Sequence, residues 1–392
     1  MKRMRIWLGV GLLIAATTGA QAAEPIVIGE INPRTGVFAV LGTAVHEGIL
    51  LAMEEANAGG GVGGRSIRLI SRDDEGKPER AIAAAEELAS RRGALALIGG
   101  YVDRLVGPIG EVAERSQIPY LATASLDERL TRQGHRYFFR ISSLEPFVKV
   151  TTGIVLEEFG AKNVAILHSF TPGASQLARR QREVLEQAGV QVSVQEQFSP
   201  GLSDFTPLLA RVRDQGAEVI LSDTFFRDHL LLVRQMAQGG VRVKAFLGAF
   251  GMEFPKVITA LGPESEGLFG TTSWQPGVNL GPNEQASLDF IDAFKKRFGR
   301  APVPLTMHGY AAAQALLHAL RDVADSGRPL AGEAVRDALA RIDVETPLGR
   351  VKFDERGDPL FYERVVVQIQ NGKHILVYPK ERATAAIRYP AR

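Results

Sequence analysis

The 392-residue chain contains no cysteine. A disulfide framework, zinc thiolates, a cysteine nucleophile and a lipidated amino-terminal cysteine are therefore excluded. Neither sign of charge is in excess: 46 Lys and Arg against 44 Asp and Glu leave +2. There is no polybasic block, and the aromatic residues, 7% of the chain, do not interleave with basic runs, so nucleic acid is not expected as a partner. The histidines (His46, His135, His168, His229, His308, His318 and His374) lack H-x-x-x-H and H-E-x-x-H spacing. No metal site and no cofactor is expected from them. A G-x-S-x-G nucleophile elbow is also missing, so the chain is not read as an enzyme. Beyond the amino terminus no apolar run is long enough to span a bilayer.

The amino terminus itself has the order of a secretory signal. Lys2, Arg3 and Arg5 precede an apolar stretch from about Ile6 to Ala16, and Ala20-Gln21-Ala22 supplies small residues for cleavage. Residues 1–22 are expected to be a cleavable signal peptide. Its loss would remove three basic residues and leave the mature chain near −1. An exported chain with neither a lipid anchor nor direct membrane insertion is expected to be free in the periplasm.

After residue 22, β-rich apolar runs alternate with amphipathic stretches. Strands are expected at 25–31, 66–74, 94–100 and 118–122, with helices at 43–58, from Pro78, and at 104–116. On the first helix Val45, Ile49, Ala52, Met53 and Ala56 share one face at 3.6-residue periodicity. The alternation restarts after "YFFRISS" (137–143). Strands are expected at 163–169, 190–198, 217–222 and 243–249, and helices at 145–159, 174–188, 204–215 and 227–238. Helices at 283–298, 306–325 and 331–341 follow. A strand and turn at 348–359 and a hairpin at 364–378, turning at Asn371-Gly372, complete the chain. Strands alternating with helices of this length predict an α/β fold with parallel sheets covered on both faces. Two runs predict two doubly wound lobes.

"NAGGGVGGR" (57–65) matches the G-x-G-x-x-G of a dinucleotide loop at Gly59, Gly61 and Gly64. Such a loop must leave a strand and open a helix, so that the helix amino terminus meets the phosphates. Here the glycines end a helix and enter a strand. They are read as a helix stop and turn. Asp73-Asp74 are read as a solvated end of the following strand.

Motifs in order then carry a family resemblance. "IVIGEINPRTGVFAVLG", "HEGILLAMEEANAGGGVGGRSIRLISRDDEGKPERA", "ALALIGG" with "IPYLATAS", "YFFRISS", "SDFTPLLARVRDQGAEVIL", "YAAAQALLHAL" and "TPLGRVKFDERGDP" span essentially the whole mature chain. Together they resemble type I periplasmic binding proteins of the branched-chain amino acid (leucine-binding-like) group, the solute receptors of ABC transporters. The resemblance implies two doubly wound parallel-sheet lobes joined by three crossings, near 142–144, 271–274 and 344–348. The expected lobes are 24–142 plus 273–345 and 143–272 plus 346–392. It further implies a monomer that captures a small solute by hinge closure and presents it to an inner-membrane permease with its ATPase. The alternative partner is a membrane receptor that senses the closed form.

The ligand loops implied by the resemblance follow strands. They point to Phe38 (with Leu41), Tyr101, Val102 and Asp103, Ala124 and Ser125 in one lobe. In the other they point to Phe170 and Thr171, Phe225 and Phe250. Serines common in the loop at 99–105 are replaced by Val102 and Asp103, and Phe250 stands where amino-acid binders often place an acid. The expected ligand is thus an apolar or aromatic small molecule with one polar or cationic group. Each phenylalanine could instead be core. Asp103 could simply cap the helix it opens, and Trp274 could be hinge packing.

Overall fold

A computed structural model describes residues 24–276 and 284–391. The expected signal peptide, residues 1–22, lies outside the described residues. The chain starts with β1 (Ile26–Asn32), α1 (Ala39–Ala58), β2 (Ile67–Asp73) and α2 (Pro78–Glu86), which runs on into a π-helical turn at Glu87–Arg91. Next come β3 (Ala96–Tyr101), α3 (Asp103–Ser116), β4 (Tyr120–Ala124) and β5 (Phe138–Arg140). Then follow α4 (Glu145–Ile154), β6 (Asn163–Ser169), α5 (Pro172–Gln187), β7 (Gln191–Phe198), α6 (Thr206–Asp214), β8 (Val219–Asp223), α7 (Phe226–Gln238), β9 (Ala245–Gly248), α8 (Pro255–Leu261) and β10 (Phe269–Thr272). The last part holds α9 (Glu284–Phe298), α10 (Pro304–Asp325), α11 (Gly332–Arg341), β11 (Asp343–Thr346), β12 (Gly349–Lys352), β13 (Val365–Gln370) and β14 (Lys373–Tyr378).

Two doubly wound sheets result. The first is all parallel in the order β2-β1-β3-β4-β5. The second has the order β14-β13-β10-β9-β8-β6-β7. Its strands β7-β6-β8-β9-β10 repeat the strand order of the first sheet, and the β13–β14 hairpin is added antiparallel at the β10 edge. In each sheet the order reverses beside the first strand, between β1 and β3 and between β6 and β8. The crevice outside the strand carboxyl ends at such a reversal is where open α/β sheets take ligands.

Each sheet is buried on both faces. Side chains of α1, α10 and α11 (Val45, Ile49, Leu316, Leu339) pack on one face of the first sheet with Ile26, Ile28 and Ile98. Those of α2 and α3 (Ala81, Ala85, Leu105, Ile109) cover the other. In the second, α4 and α5 cover one face and α6 to α8 the other. Fully buried strands such as "ALIGGY" (96–101) and "AFLG" (245–248) therefore read as continuous apolar runs rather than alternating ones.

The glycine run behaves as a stop and turn. α1 ends at Ala58, and Gly60, Gly61, Gly63 and Gly64 all have positive φ. Val62 and Arg65 exchange both backbone hydrogen bonds across Gly63-Gly64, a two-residue hairpin whose corners need left-handed φ. The Asn57 amide then pairs with the backbone of Ile67 from both of its atoms (2.7 and 2.8 Å), fixing the helix end to the start of β2.

Three passages join the sheets. The first lies at 141–144, between β5 and α4, and the second follows Thr272. The return falls later than the expected 344–348. Val351 and Phe353 belong to the core of the first sheet, the Arg140 amide donates to the Gly357 carbonyl (3.0 Å), and the buried Arg140 guanidinium pairs with Asp358 at 2.5 Å. These bonds hold residues 349–358 on β5, so the chain returns to the second sheet over 359–364. The expected strand at 118–122 starts instead at Tyr120, because Pro119 has no N–H to donate and only its carbonyl joins the ladder, accepting from Leu97. β10, β11 and α8 were not anticipated: at four, four and seven residues they are too short to show a period.

α1 and α10 cross in near backbone contact. A Cβ on Gly48 would collide with the Thr306 carbonyl, and one on Gly309 with the Val45 carbonyl. Both glycines have ordinary helical φ, so an alanine there would raise intrinsic helix stability by about 1 kcal/mol. Prying the helices apart costs more, roughly 1–3 kcal/mol. Gly309→Ala is expected to lower the urea midpoint, and an unchanged or raised midpoint would refute this packing argument.

Candidate functional site

Between the two sets of strand ends lies a cavity. Its wall includes Tyr101 at the end of β3, Asp103 at the start of α3, Ser125 after β4, Phe225 after β8, Phe250 and Glu253 after β9, and Arg364 before β13. Val102, Ala124 and Thr171 also line it. Eight of the ten residues expected from sequence thus meet there. The other two do not. Phe38 is fully buried one layer behind the wall, edge-on to Phe225 at 5.0 Å and 6.1 Å from Tyr101. Leu41 is likewise core. Phe170 is 66% exposed and points away, because successive residues leaving a strand face opposite sides and Thr171 takes the inward position. Trp274 also stays out of the cavity. It packs on Phe290 at 5.5 Å and donates its indole N–H to Ser287.

Aromatic rings run across the cavity as a continuous seam. Phe225 touches Phe38 and Tyr101 of the first sheet's loops and stacks on Phe250 at 5.7 Å. Phe250 meets Phe147 edge-on at 5.3 Å. Phe147 in turn carries the Arg364 guanidinium over its face at 3.7 Å. Such offset and edge contacts each add about 0.5–1.5 kcal/mol beyond area burial.

Sequence reasoning missed the charged groups. Arg364 donates to the Thr271 hydroxyl and carbonyl (2.8 and 2.7 Å) and to the Tyr362 hydroxyl (2.7 Å). In sequence it was only the polar flank of a strand. Glu253 is buried, and Gly251 N–H donates to one of its oxygens at 2.8 Å. Among the described residues neither Glu253 nor Arg364 has an ion-pair partner. Burial pushes the Glu253 carboxyl up to about 7, against the pull of the Arg364 charge. An acid thus lines the cavity three residues beyond Phe250.

Asp103 does not cap its own helix, since α3 has no side-chain cap. One oxygen accepts from the amides of Leu126 (2.6 Å) and Asp127 (2.7 Å), and the other from the amide of Gly173 (2.9 Å) at the start of α5. Burial raises its pKa while the amides of Asp127 and Leu126 oppose the rise. Val102 supplies the corner that aims it, with φ +66°, a strained value for a β-branched residue. Ser125, which lines the cavity, has a buried hydroxyl with no hydrogen-bond partner among the described residues. Asp73-Asp74 are not the solvated pair expected. Asp73 accepts from Arg34, Thr35 and Glu75. Asp74 is fully buried with one oxygen unpartnered among the described residues, and burial lifts it to about 6.

No three His, Asp or Glu residues cluster as metal ligands among the described residues, and no described helix is long and apolar enough to cross a membrane. The family model described as Periplasmic binding protein matches residues 25–373. The chain belongs to that family. Within it, the branched-chain amino acid type I group fits best: Leu/Ile/Val-binding protein homolog 7 of Brucella suis is 26% identical over 409 aligned positions covering all of both chains. Among solved structures, a leucine-binding protein of Thermotoga maritima superposes with TM-score 0.81 at 25% identity, over 91% of this chain and 99% of its own. A branched-chain amino acid transporter substrate-binding protein of Streptococcus pneumoniae, in complex with isoleucine, gives TM-score 0.82 at 20% identity, over 91% and 100%. The two-lobed periplasmic binding protein fold is that of this chain, and the family consists of substrate-binding proteins rather than enzymes.

His308 tests the electrostatics of this periplasmic binding protein's cavity. Its Nδ1 faces the Thr123 carbonyl (3.3 Å), which can only accept, so Nδ1 carries the proton and Nε2 accepts from the Ser273 hydroxyl at 2.6 Å. Burial, with Arg364 nearby, lowers its pKa to about 4. The ring is expected to stay neutral from pH 8 down to about 5. Histidine-selective NMR should show a His308 midpoint near 4, and a midpoint near 6.5 would mean the ring is solvated.

Proposed function

We propose that this protein is the soluble receptor of an ABC importer, capturing a small organic solute of amino-acid size between its lobes. The lobes of this reading are 24–142 plus 273–358 and 143–272 plus 359–391, the expected break at 345/346 being moved to where the chain returns to the second sheet. The mature chain acts as a periplasmic monomer, released by cleavage after residue 22 and not lipidated. Its partners are an inner-membrane permease and the ATPase that drives it. The names of its relatives, leucine- and branched-chain amino acid-binding proteins, support a solute of that size.

One observation carries the choice of ligand: Glu253 is the acid of the cavity with uncommitted capacity. Arg364 is largely saturated by Thr271 and Tyr362, and Asp103 by three amides. With Asp103 and Glu253 ionised, two negative charges face one positive charge. A buried carboxylate is costly unless paired, so a cationic group beside Glu253 stabilises the closed cleft. Tyr101, Phe147, Phe225 and Phe250 would enclose an apolar or aromatic body, with Ser125 offering a hydroxyl. The solute of this reading is an amine or amino-acid derivative with an apolar or aromatic side.

A thermal-shift screen of amino acids, aromatic acids and apolar amines identifies the class, since a ligand selective for the folded state raises Tm. Amines are expected to give the largest shifts. Glu253→Gln should weaken them by about tenfold or more. Glu253 must lose its proton to pair with a cation. Affinity is therefore expected to fall by up to about tenfold per pH unit as pH drops below 7, and to level off above it. Tight binding by calorimetry of neutral or anionic solutes alone, independent of pH between 5.5 and 8, would overturn this ligand class.

A further inference from the structure

The amino terminus of α5 lacks a cap of its own. Thr171, the residue in the capping position, makes no side-chain hydrogen bond to the helix. The role falls to Asp103, 70 positions away and on the other lobe, whose carboxylate accepts from Gly173 N–H at 2.9 Å. The same carboxylate is already fixed by the amides of Leu126 and Asp127 on its own lobe. It is 6% exposed, so the three hydrogen bonds are made out of water. An anion at the start of a 16-residue helix is also favoured by the helix dipole. The contact spans the cleft and exists only while the lobes are together.

A second pair reinforces it. Gln176, one turn further along α5, donates to Asp127 at 2.5 Å and accepts from the Glu128 amide at 3.1 Å. Gly173 makes the approach possible: a Cβ there would collide with Asp103 Oδ2 and come within 2.8 Å of Leu126 Cβ. Its own φ is ordinary, so what restricts this position is the opposite lobe and not the backbone.

We propose that Asp103 is the closure residue of this cleft, a built-in anion that caps the second lobe's α5 and thereby occupies the amides a ligand carboxylate would otherwise claim. It acts as a positioning and specificity residue. It draws the lobes together through Gly173, and it excludes an anionic group from this end of the cavity. The inference rests on the two-lobed cleft proposed above but not on the identity of the solute.

The absence of cysteine makes the test clean. Glu79→Cys on the first lobe and Ser199→Cys on the second are exposed positions that can carry a pair of spin labels or fluorophores. Interlobe distances are then compared in the full mature chain with and without Asp103→Ala or Gly173→Ala. Circular dichroism melting confirms folding, and Gly173→Ala, which improves helix propensity, guards against simple unfolding of the other variant. Both substitutions are expected to shift the closed-to-open ratio toward open by roughly tenfold, the worth of a charge-assisted hydrogen bond. In Asp103→Ala, sodium acetate should refill the vacated amides and restore the short distance, while sodium chloride of equal ionic strength should not. Wild-type distances in both variants would overturn the proposal, as would opening in Asp103→Ala that acetate leaves unchanged. Because no solute is added, these outcomes are independent of the ligand class tested by Glu253→Gln.

Discussion

Arg364 ties the molecule together. Its guanidinium is held by Thr271 at the end of β10, by Tyr362 on the return passage, and over Phe147 just after the first passage. All three connections between the sheets thus converge on one buried cation. A buried charge must be hydrogen-bonded on nearly every proton to be tolerated, and Arg364 meets that demand only while the three segments stay in register. The same side chain forms part of the cavity wall. The connections between the sheets and the charge of the cavity wall therefore meet in one residue.

The rest of the site follows from how the remaining charges are settled in low dielectric. Asp103 is settled by backbone amides from both lobes, and His308 by staying neutral between a carbonyl and a hydroxyl. Glu253 is left with the amides of Gly251 and of its own backbone and no ion-pair partner among the described residues, and burial raises its pKa to about 7. The distribution is uneven, and the unevenness is informative. Groups well satisfied by the protein link the two sheets, whereas Glu253 and the Ser125 hydroxyl, unpartnered among the described residues, are left at the cavity wall. The aromatic seam from Phe38 through Phe225 and Phe250 to Phe147 supplies the apolar remainder, and it joins the lobes without demanding any particular polar partner.

Much of this was legible in the sequence. The alternation of apolar runs with amphipathic stretches fixed the α/β class, because buried parallel strands must be apolar on both faces and the helices covering them on one. Glycines placed after a helix and before a strand excluded a phosphate cradle, and Gly63-Gly64 do form a tight corner. Counting residues beyond strand ends brought eight of ten chosen positions into one cavity, since strand carboxyl ends border the crevice in any doubly wound sheet. Phe38 and Phe170 were misplaced because a loop sequence gives distance from a strand but not the side to which a side chain turns.

Sequence alone determined which segments form strands and helices, that they build two doubly wound units, and that the chain resembles a family of solute receptors. These properties depend on local periodicity and on the order of motifs, and both are written along the chain. Tertiary structure alone decided the charges. Arg364, Glu253 and His308 lie at ordinary positions in sequence, and Asp103 read equally as a cleft residue or as the cap of its own helix. Their roles come from distant partners (93 residues from Thr271 to Arg364, 185 from Thr123 to His308) or from burial beside the Gly251 amide, and from a dielectric that exists only once two lobes exclude water between them. An ionisable side chain acquires its chemistry from its surroundings, and here those surroundings are assembled from both halves of the fold.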